Sequence, residues 1–273
     1  MRIKSGNIIL HVFLFIIAIG MIFPMIWMLL LSVKTYPESY SNLLELLLSP
    51  FTISNYTEAL SSDAFTKYFL NSLFVGLFVT IGNVLFCLIS GYAFARRRIW
   101  AKPFFFATIL GVMIIPPHVI MIPLYRLMVE IGWINTYYAL IIPWLVTPFG
   151  VFLVIQYIKS LPSEMEDAAR IDGAGEWYII FRIVMPLSKP ILTVLAIYIF
   201  LTNWNSFLFP FLFTNSEDYR TLPVGLAFYM GKQSIDWGHL MAGAGVSAIP
   251  ILIIFLIFQK QIIKGLTAGA LKE

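Results

Sequence analysis

The chain has 273 residues, of which 60% are hydrophobic and only 12% are charged. A soluble globular domain carries roughly 25% charged residues, so this composition excludes an ordinary soluble domain and indicates several membrane spans. The net charge of +4 would suit a nucleic-acid binder, but the basic residues lie beside apolar runs, where they usually report membrane topology. The single cysteine, Cys87, excludes a disulfide framework and a cysteine-based metal cluster.

Six apolar stretches are long enough, at about 20 residues each, to cross a bilayer as helices. The first follows basic residues, as a signal peptide would, but it is too long and lacks a small-residue cleavage site, so we expect an uncleaved span. The predicted fold class is therefore all-α and integral to the membrane, with six transmembrane helices. In chain order the predicted spans cover residues 8–33, 70–95, 103–128, 137–157, 190–213 and 240–262.

The distribution of lysine and arginine predicts the orientation of these spans. With the N-terminus placed in the cytoplasm, the inner segments hold 13 of the 18 basic residues and the outer segments hold the other 5. An excess of positive charge marks the inner side, so both termini are predicted to be cytoplasmic. The same topology places the loop of residues 159–189 in the cytoplasm and the loops of residues 34–69 and 214–239 outside.

Prolines interrupt the predicted spans, Pro116, Pro117 and Pro210 among them. Proline frees backbone carbonyls, which is tolerated where neighbouring helices or a water-filled cavity satisfy them, although proline is also common in membrane helices generally. No Asp or Glu lies inside a span, and the deeply placed titratable groups are His11 and His118. This argues against a proton-driven carrier but less against a sodium-driven one, so an ion-gradient-driven secondary transporter remains an alternative.

The 159–189 loop has the sequence signals of two helices joined by a turn. Ser163 and Glu166 fit a capping box at the start of the first helix. Gly173 and Gly175 would permit a sharp turn after it. The second helix is predicted to have one apolar face, formed at helical spacing by Trp177, Ile180, Phe181 and Val184.

From these residues alone, two functions are open for the loop. It is either an interfacial segment whose aromatic side chains rest on lipid headgroups or a docking surface for a partner protein. Ala168 and Ala169 favour docking, because small side chains let another protein approach closely. Binding of nucleic acid is disfavoured, because five acidic residues against four basic ones suit a phosphate backbone badly.

The spacing within the loop resembles the EAA loop of binding-protein-dependent ABC importer permeases, written E-A-A-x3-G-x9-I-x-L-P. Asp167 replaces the glutamate of that pattern and Met185 replaces the leucine, which keeps the charge and the apolar bulk. Both spacings are intact. The pattern falls on Asp167, Ala168, Ala169, Gly173, Ile183, Met185 and Pro186.

Other segments are similar to the sugar-importer branch of that family, and more narrowly to its shorter, maltose-type permease subunit. They are IIPPHVIMIPLY (114–125), NWNSFLFPFLF (203–213), RTLPVGL (220–226) and IKGLTAGALKE (263–273). The resemblance implies a type I ABC importer permease fold in a bacterial or archaeal-type plasma (inner) membrane. Its parts would be a first helix with an extracytoplasmic loop (1–66), a transmembrane core carrying the coupling loop (67–263), and a cytoplasmic tail (264–273).

In that family the EAA loop forms a coupling helix that sits in a cleft of an ATP-binding subunit. The resemblance implies as partners two ATP-binding subunits, a second homologous permease subunit, an extracytoplasmic solute-binding protein, membrane lipid and a sugar-like substrate. ATP and magnesium would bind to the partner ATPase, because this chain lacks the G-x-x-x-x-G-K-[ST] motif and is predicted not to be an enzyme. The residues expected to dock on the ATPase are Glu166, Asp167, Ala168, Ala169, Asp172, Gly173, Ile183 and Pro186.

Asn203, Trp204 and Asn205, in the fifth predicted span, are candidates for the substrate pathway. Amides and an indole ring offer the hydrogen bonds and the flat face that sugars require. Asn83, in the second span, is a weaker candidate. The alternative for all of them is contact between helices, since asparagine commonly hydrogen-bonds across membrane bundles. No metal site is predicted, because the three histidines are scattered along the chain.

Overall fold

The computed structural model of the chain describes residues 5–228 and 235–268, which are mainly helical and contain no β-strand. Short 3-10 turns cover Pro37–Ser39, Pro117–Ile120 and Ile142–Trp144, and a π-helical turn covers Ile179–Val184. The α-helices are α1 Ser5–Ser32, α2 Leu43–Leu48, α3 Ser54–Ser61, α4 Asp63–Arg96, α5 Lys102–Ile114, α6 Met121–Glu130, α7 Tyr137–Ile141, α8 Pro148–Ser160, α9 Glu164–Ile171, α10 Glu176–Tyr178, α11 Met185–Leu187, α12 Lys189–Trp204, α13 Leu208–Phe213, α14 Leu222–Ala227 and α15 Trp237–Ala268.

Four helical segments of the described chain are long and apolar enough to cross a membrane, and two bent pairs of helices can each form one more span. The predicted all-α membrane fold is therefore confirmed, with six spans when each bent pair is counted as one. The four segments are residues 10–32, 64–96, 137–160 and 237–261, and the bent pairs are residues 102–114 with 117–130 and residues 176–187 with 189–204.

The predicted third span is not the single helix that its apolar length suggested. Helices α5 and α6 meet at 96° around a break at Ile115 and Pro116. Both residues are extended, with ψ of 120° and 135°. A residue before proline is pushed out of the α region, so the Pro116–Pro117 pair forces this break. The predicted fifth span is also interrupted, because α12 ends at Trp204 and α13 begins at Leu208.

The chain divides into two compact units, the first of which combines the residues up to 66 with residues 225–250. In this unit the buried Lys34 donates hydrogen bonds to the carbonyls of Leu47 and Ser49, at 3.2 and 2.5 Å, and its ammonium lies 3.9 Å from the ring centre of Phe51. Asn55 donates to the carbonyls of Ser32 and Lys34, both at 2.9 Å. Side-chain hydrogen bonds therefore fix the irregular segment that follows α1.

The second unit combines residues 67–224 with the residues from 251 onward and contains a large apolar core. Small residues bring its helices close together. A Cβ atom added to Gly91 of α4 would lie 2.5 Å from Cγ1 of Val154 in α8, so that position has no room for a side chain. The buried core residues come mainly from α4, α8 and α12, and they include Val75, Val79, Leu88, Val154, Ile155, Ile158, Leu192, Leu195 and Ile199.

Candidate functional site

The first helix of the 159–189 loop, α9, starts without the predicted capping box. Ser163 has φ −83° and ψ −14°, and its side chain makes no capping hydrogen bond. A capping side chain needs extended backbone to reach the free N–H groups, so this helical conformation explains why the prediction was wrong. The Ser163 carbonyl instead accepts from the N–H groups of Glu166 and Asp167, at 2.9 and 3.0 Å.

The side chain of Glu166 is buried against the end of α4. Its Oε1 accepts a hydrogen bond of 2.7 Å from Nε of Arg96, the last residue of α4, and the glutamate side chain is 3% exposed. Arg96 also donates to the carbonyl of Leu161 at 2.7 Å. Removing one partner of a buried ion pair is strongly destabilising, so this pair fixes the start of the loop to the end of α4. The expected role of Glu166 in docking stays a prediction.

A second group of polar contacts surrounds Arg170. Its guanidinium forms an ion pair with Asp167 at 2.8 Å and donates to the hydroxyl of Tyr92 in α4 at 2.9 Å. The Tyr92 hydroxyl in turn donates to Glu176 at 3.1 Å, and Glu176 also pairs with Arg97. Burial alone would lower the pKa of Arg170, but Tyr92 and Asp167 raise this pKa above its usual value, so the guanidinium stays charged.

The turn after α9 is a Schellman motif centred on a glycine. The N–H of Gly173 bonds to the carbonyl of Arg170 at 3.1 Å, and the N–H of Ala174 bonds to the carbonyl of Ala169 at 2.9 Å. Gly173 has φ +81°, a conformation that side chains other than glycine disfavour. The predicted turn is therefore confirmed at this residue. Gly175 has φ −75°, which any residue can adopt.

The second helix of the loop runs from α10 through the π-helical turn Ile179–Val184 to α11. Its predicted single apolar face is wrong. Ile180 and Val184 are buried in the core, but Trp177 is exposed and stacks on the half-buried Phe181 with ring centres 6.0 Å apart. The four residues therefore divide into two pairs of different exposure, the buried Ile180 and Val184 and the stacked Trp177 and Phe181.

Five of the predicted docking residues meet in one open hollow of about 740 Å³: Ala168, Ala169, Asp172, Gly173 and Ile183. The hollow is lined in addition by Met165, Ala174, Gly175 and Tyr178. Asp167 and Pro186 are exposed but lie off its wall.

Three exposed apolar residues on or next to the hollow were not among the predicted docking residues: Met165, Ile171 and Tyr178. Ile171, the last residue of α9, is 87% exposed. Its side chain is available to a partner that docks on the loop.

The three consecutive substrate candidates have different surroundings in the structure, and their role in the substrate pathway stays a prediction. Asn203 lines a cavity of about 210 Å³ inside the second unit. Trp204 is buried instead and packs against the rings of Phe69 and Phe200, each at 5.6 Å. Asn205 is exposed and donates to the carbonyl of Leu201 in its own helix at 2.8 Å. A helix that is apolar all round gives no sequence signal for which of three consecutive residues faces a cavity.

Asn83 joins two helices, which supports the alternative stated for it. It is fully buried in α4 and donates to the carbonyl of Trp144 at 2.9 Å and to the hydroxyl of Thr147 at 3.3 Å. Its amide oxygen accepts from the thiol of Cys87 at 3.3 Å. Across residues 5–228 and 235–268, no group of three or more histidine, cysteine or acidic side chains could hold a metal ion.

Comparison with known proteins identifies a family and close relatives. Residues 85–268 match the family described as "Binding-protein-dependent transport system inner membrane component". The arabinooligosaccharides transport system permease protein AraQ of Halalkalibacterium halodurans is 36% identical over 262 residues, which cover 94% of this chain and 93% of that protein. The trehalose/maltose transport system permease protein MalG of Thermococcus litoralis is 34% identical over 271 residues, which cover 97% of each chain.

The fold also has a solved counterpart. A chain of a bacterial ABC transporter involved in the import of the acidic polysaccharide alginate superimposes with a TM-score of 0.82. The match covers 95% of this chain and 99% of that chain, at 23% sequence identity. At this identity the likeness concerns the fold.

Proposed function

Because the chain belongs to the family of binding-protein-dependent transport system inner membrane components, we propose that its 159–189 loop docks on a separate ATP-hydrolysing subunit and transmits that subunit's movement to α4. The chain is a permease subunit of a sugar ABC importer, spans the membrane several times and does not itself catalyse a reaction. ATP and magnesium bind to the partner. The complex also contains a second permease subunit, a second ATP-binding subunit and an extracytoplasmic binding protein.

One observation carries this proposal: the start of α9 is fixed to α4, and the surface around the turn that follows α9 is open. The buried pair between Glu166 and Arg96 holds the start of α9 to α4. Around the turn, Ala168 and Gly173 line an open hollow beside the exposed Ile171. A surface that accepts a partner and is held rigidly to a spanning helix can convert the partner's movement into a movement of the span.

Alternating access then follows from a shift between conformations. A ligand changes the equilibrium between two states only by as much as it binds one of them better. ATP closes the partner subunits. The closed partners bind the docked loop better in one conformation of the permease than in the other, and this difference shifts the equilibrium toward that conformation. Rigidity at Gly173 matters because the turn sets the direction in which α9 projects.

The test uses the complete importer reconstituted in liposomes. Replacing Gly173 with valine forces a β-branched residue into a left-handed conformation, at a cost of about 1–2 kcal/mol or more. We expect sugar uptake per ATP hydrolysed to fall by roughly tenfold, because 1.4 kcal/mol corresponds to tenfold in an equilibrium.

The matched control is Gly175→Ala, which also adds a side chain in the hollow but at an ordinary φ of −75°. Among residues 5–228 and 235–268, no atom beyond the neighbouring residues lies within 4 Å of a Cβ added at either glycine, so the first added carbon meets no steric clash within the subunit. Normal uptake per ATP in the assembled Gly173→Val complex would refute the proposal.

A further inference from the structure

The segment that follows α1 returns to the end of that helix. Lys34 and Phe51 form an antiparallel backbone bridge, and the N–H of Thr52 bonds to the carbonyl of Val33 at 2.8 Å. The buried ammonium of Lys34 bonds in addition to carbonyls at the end of α2. Because α1 ends at Ser32, residues 51 and 52 lie level with the first two residues beyond the helix.

The length of the first span gives the depth of this point in the membrane. The span covers residues 10–32, which are 23 residues. Such a helix is about 35 Å long and, at the usual tilt of about 20°, crosses about 32 Å, slightly more than the hydrocarbon core of about 30 Å. Two further residues reach at most about 7 Å beyond it, and the headgroup layer on each side is about 5–8 Å deep. With the span centred in the bilayer, residues 51 and 52 therefore lie among the headgroups.

The side chains exposed by residues 43–53 are mainly apolar. Leu44, Leu47 and Leu48 stand at helical spacing i, i+3 and i+4 on one side of α2. Glu45 is the one charged residue between residues 39 and 57. A contiguous exposed apolar patch marks a surface that contacts a partner protein or a membrane. The exposed apolar side chains are Leu43, Leu44, Leu47, Leu48, Phe51 and Ile53.

Aromatic rings mark the same depth independently. An open hollow of about 430 Å³ in the first unit is lined by Trp27, Tyr40 and Trp237, together with leucines of α1 and α2. Trp27 belongs to the last two turns of α1, so the hollow lies at the end of the span. Tryptophan and tyrosine are enriched where a membrane meets water, because their rings have an apolar body and a polar tip.

Continuity with α1 identifies lipid as the occupant of this patch. Within the described chain only 6% of the apolar window of the first span is buried, so α1 presents its surface to lipid. The leucines of α2 extend that surface, because Leu31 of α1 lines the same hollow as Leu43 and Leu46. Lys34 is the one basic residue between residues 33 and 66, and it is buried and bonded to carbonyls. The contact with lipid therefore rests on apolar side chains and does not require anionic headgroups.

We propose that residues 43–53, the interfacial segment, lie in the headgroup layer and anchor the chain after α1 to phospholipid. Helix α2 lies in the plane of the membrane with Leu44 and Leu48 toward the acyl chains, as amphipathic interfacial helices do. The part of the loop left to face water then begins after residue 53. The inference goes beyond the proposed function, because it needs a chain that spans a membrane and does not depend on docking of the 159–189 loop.

The test measures what surrounds a nitroxide spin label on the interfacial segment. Leu48→Cys is chosen because this side chain is 77% exposed, so the label does not disturb the fold. The control is Glu217→Cys, an exposed charged position in another loop. Each variant is labelled in the complete importer, assembled with cysteine-free partner subunits in nanodiscs. The wild-type chain, whose one cysteine is buried, gives the background labelling.

Power saturation compares the accessibility of the label to oxygen, which partitions into lipid, and to a nickel chelate, which stays in water. We expect oxygen to relax the label at position 48 severalfold more than the chelate does, and the reverse at position 217. Leu44→Cys, on the same side of α2, should show the same preference as Leu48→Cys. A label at position 48 that prefers the chelate would place the segment in water. A label shielded from both reagents would assign the patch to another subunit, and either result would overturn the anchor.

The same measurement in two kinds of nanodisc tests the chemistry of the contact. We expect the oxygen preference at position 48 to be equal in phosphatidylcholine and in phosphatidylglycerol, because the one nearby basic side chain is buried. An oxygen preference that appears only in the anionic lipid would show that headgroup charge, and not the leucine face, holds the segment, and would overturn the apolar anchor.

Discussion

Replacing Glu166 with glutamine should loosen the 159–189 loop from α4 without changing its shape. The carboxylate is 3% exposed and accepts a hydrogen bond of 2.7 Å from Arg96, which is 15% exposed. A hydrogen bond to a charged group contributes roughly 1.5–3 kcal/mol. The glutamine oxygen can still accept a hydrogen bond from Arg96, but the largely buried guanidinium loses its counter-charge, which adds a penalty. Because Arg96 keeps its hydrogen bond to the carbonyl of Leu161, we take about 2–3 kcal/mol as the cost of Glu166→Gln.

That free energy predicts how often the loop opens. At 1.4 kcal/mol per factor of ten, a cost of 2–3 kcal/mol raises the population of the open form by about 30- to 140-fold. Hydrogen exchange of the backbone amides reports this population, since amides exchange when their local structure opens. The amides of Glu166 and Asp167, which bond to the carbonyl of Ser163, should therefore exchange faster by that factor.

The control is an exposed ion pair of similar length. Lys67 and Asp218 lie 3.0 Å apart, but their side chains are 55% and 67% exposed. Exposed pairs contribute roughly 0–1 kcal/mol, so Asp218→Asn should change exchange around it by less than about fivefold. If hydrogen exchange of the Glu166→Gln loop also rises by less than about fivefold, the buried pair does not hold the loop to α4.

Two further predictions concern the docking surface and the packing of the core. Ile171→Ser should leave the thermal stability of the isolated chain unchanged, because the side chain is 87% exposed. It should weaken binding of the ATPase subunit by at least about tenfold, as loss of an apolar anchor does. Equal affinity of the wild-type chain and the variant for the ATPase subunit in a pull-down titration would contradict this. Gly91→Ala should destabilise the chain by about 1–3 kcal/mol, because its Cβ would collide with Val154. The control is Gly111→Ala, which has open space around its new Cβ and should be neutral or stabilising. Both variants are compared by thermal unfolding in detergent. Equal melting temperatures for the two alanine variants would show that α4 and α8 do not pack as described.

The helix–turn–helix of the loop could be predicted because its signals are local. A left-handed glycine closing a helix, as at Gly173, depends on a few neighbouring residues and on short hydrogen bonds. The position of Glu166 could not be predicted in the same way. A glutamate three residues after a serine fits a capping box equally well, and its true partner, Arg96, lies 70 residues earlier in the chain.

The bends within the spans, like the partner of Glu166, depend on contacts between residues far apart in the chain and could not be predicted. Their number follows from hydropathy, and Pro116 and Pro117 indicate a disturbance in the third of them. The 96° angle between α5 and α6 depends on packing against other helices, which the apolar pattern does not encode. For the same reason the sequence predicted Asn203, Trp204 and Asn205 as one group, although only the first lines the cavity.

Docking of the 159–189 loop on the ATPase is tested most directly by photocrosslinking in the assembled importer. A photoreactive amino acid at Ala168, which is exposed on the wall of the hollow, should link this chain to the ATP-binding subunit. The same amino acid at Tyr36, which is also exposed but lies on the outer side in the predicted topology, should not. A complex that imports sugar and forms no link to the ATPase from position 168 would contradict the proposed function.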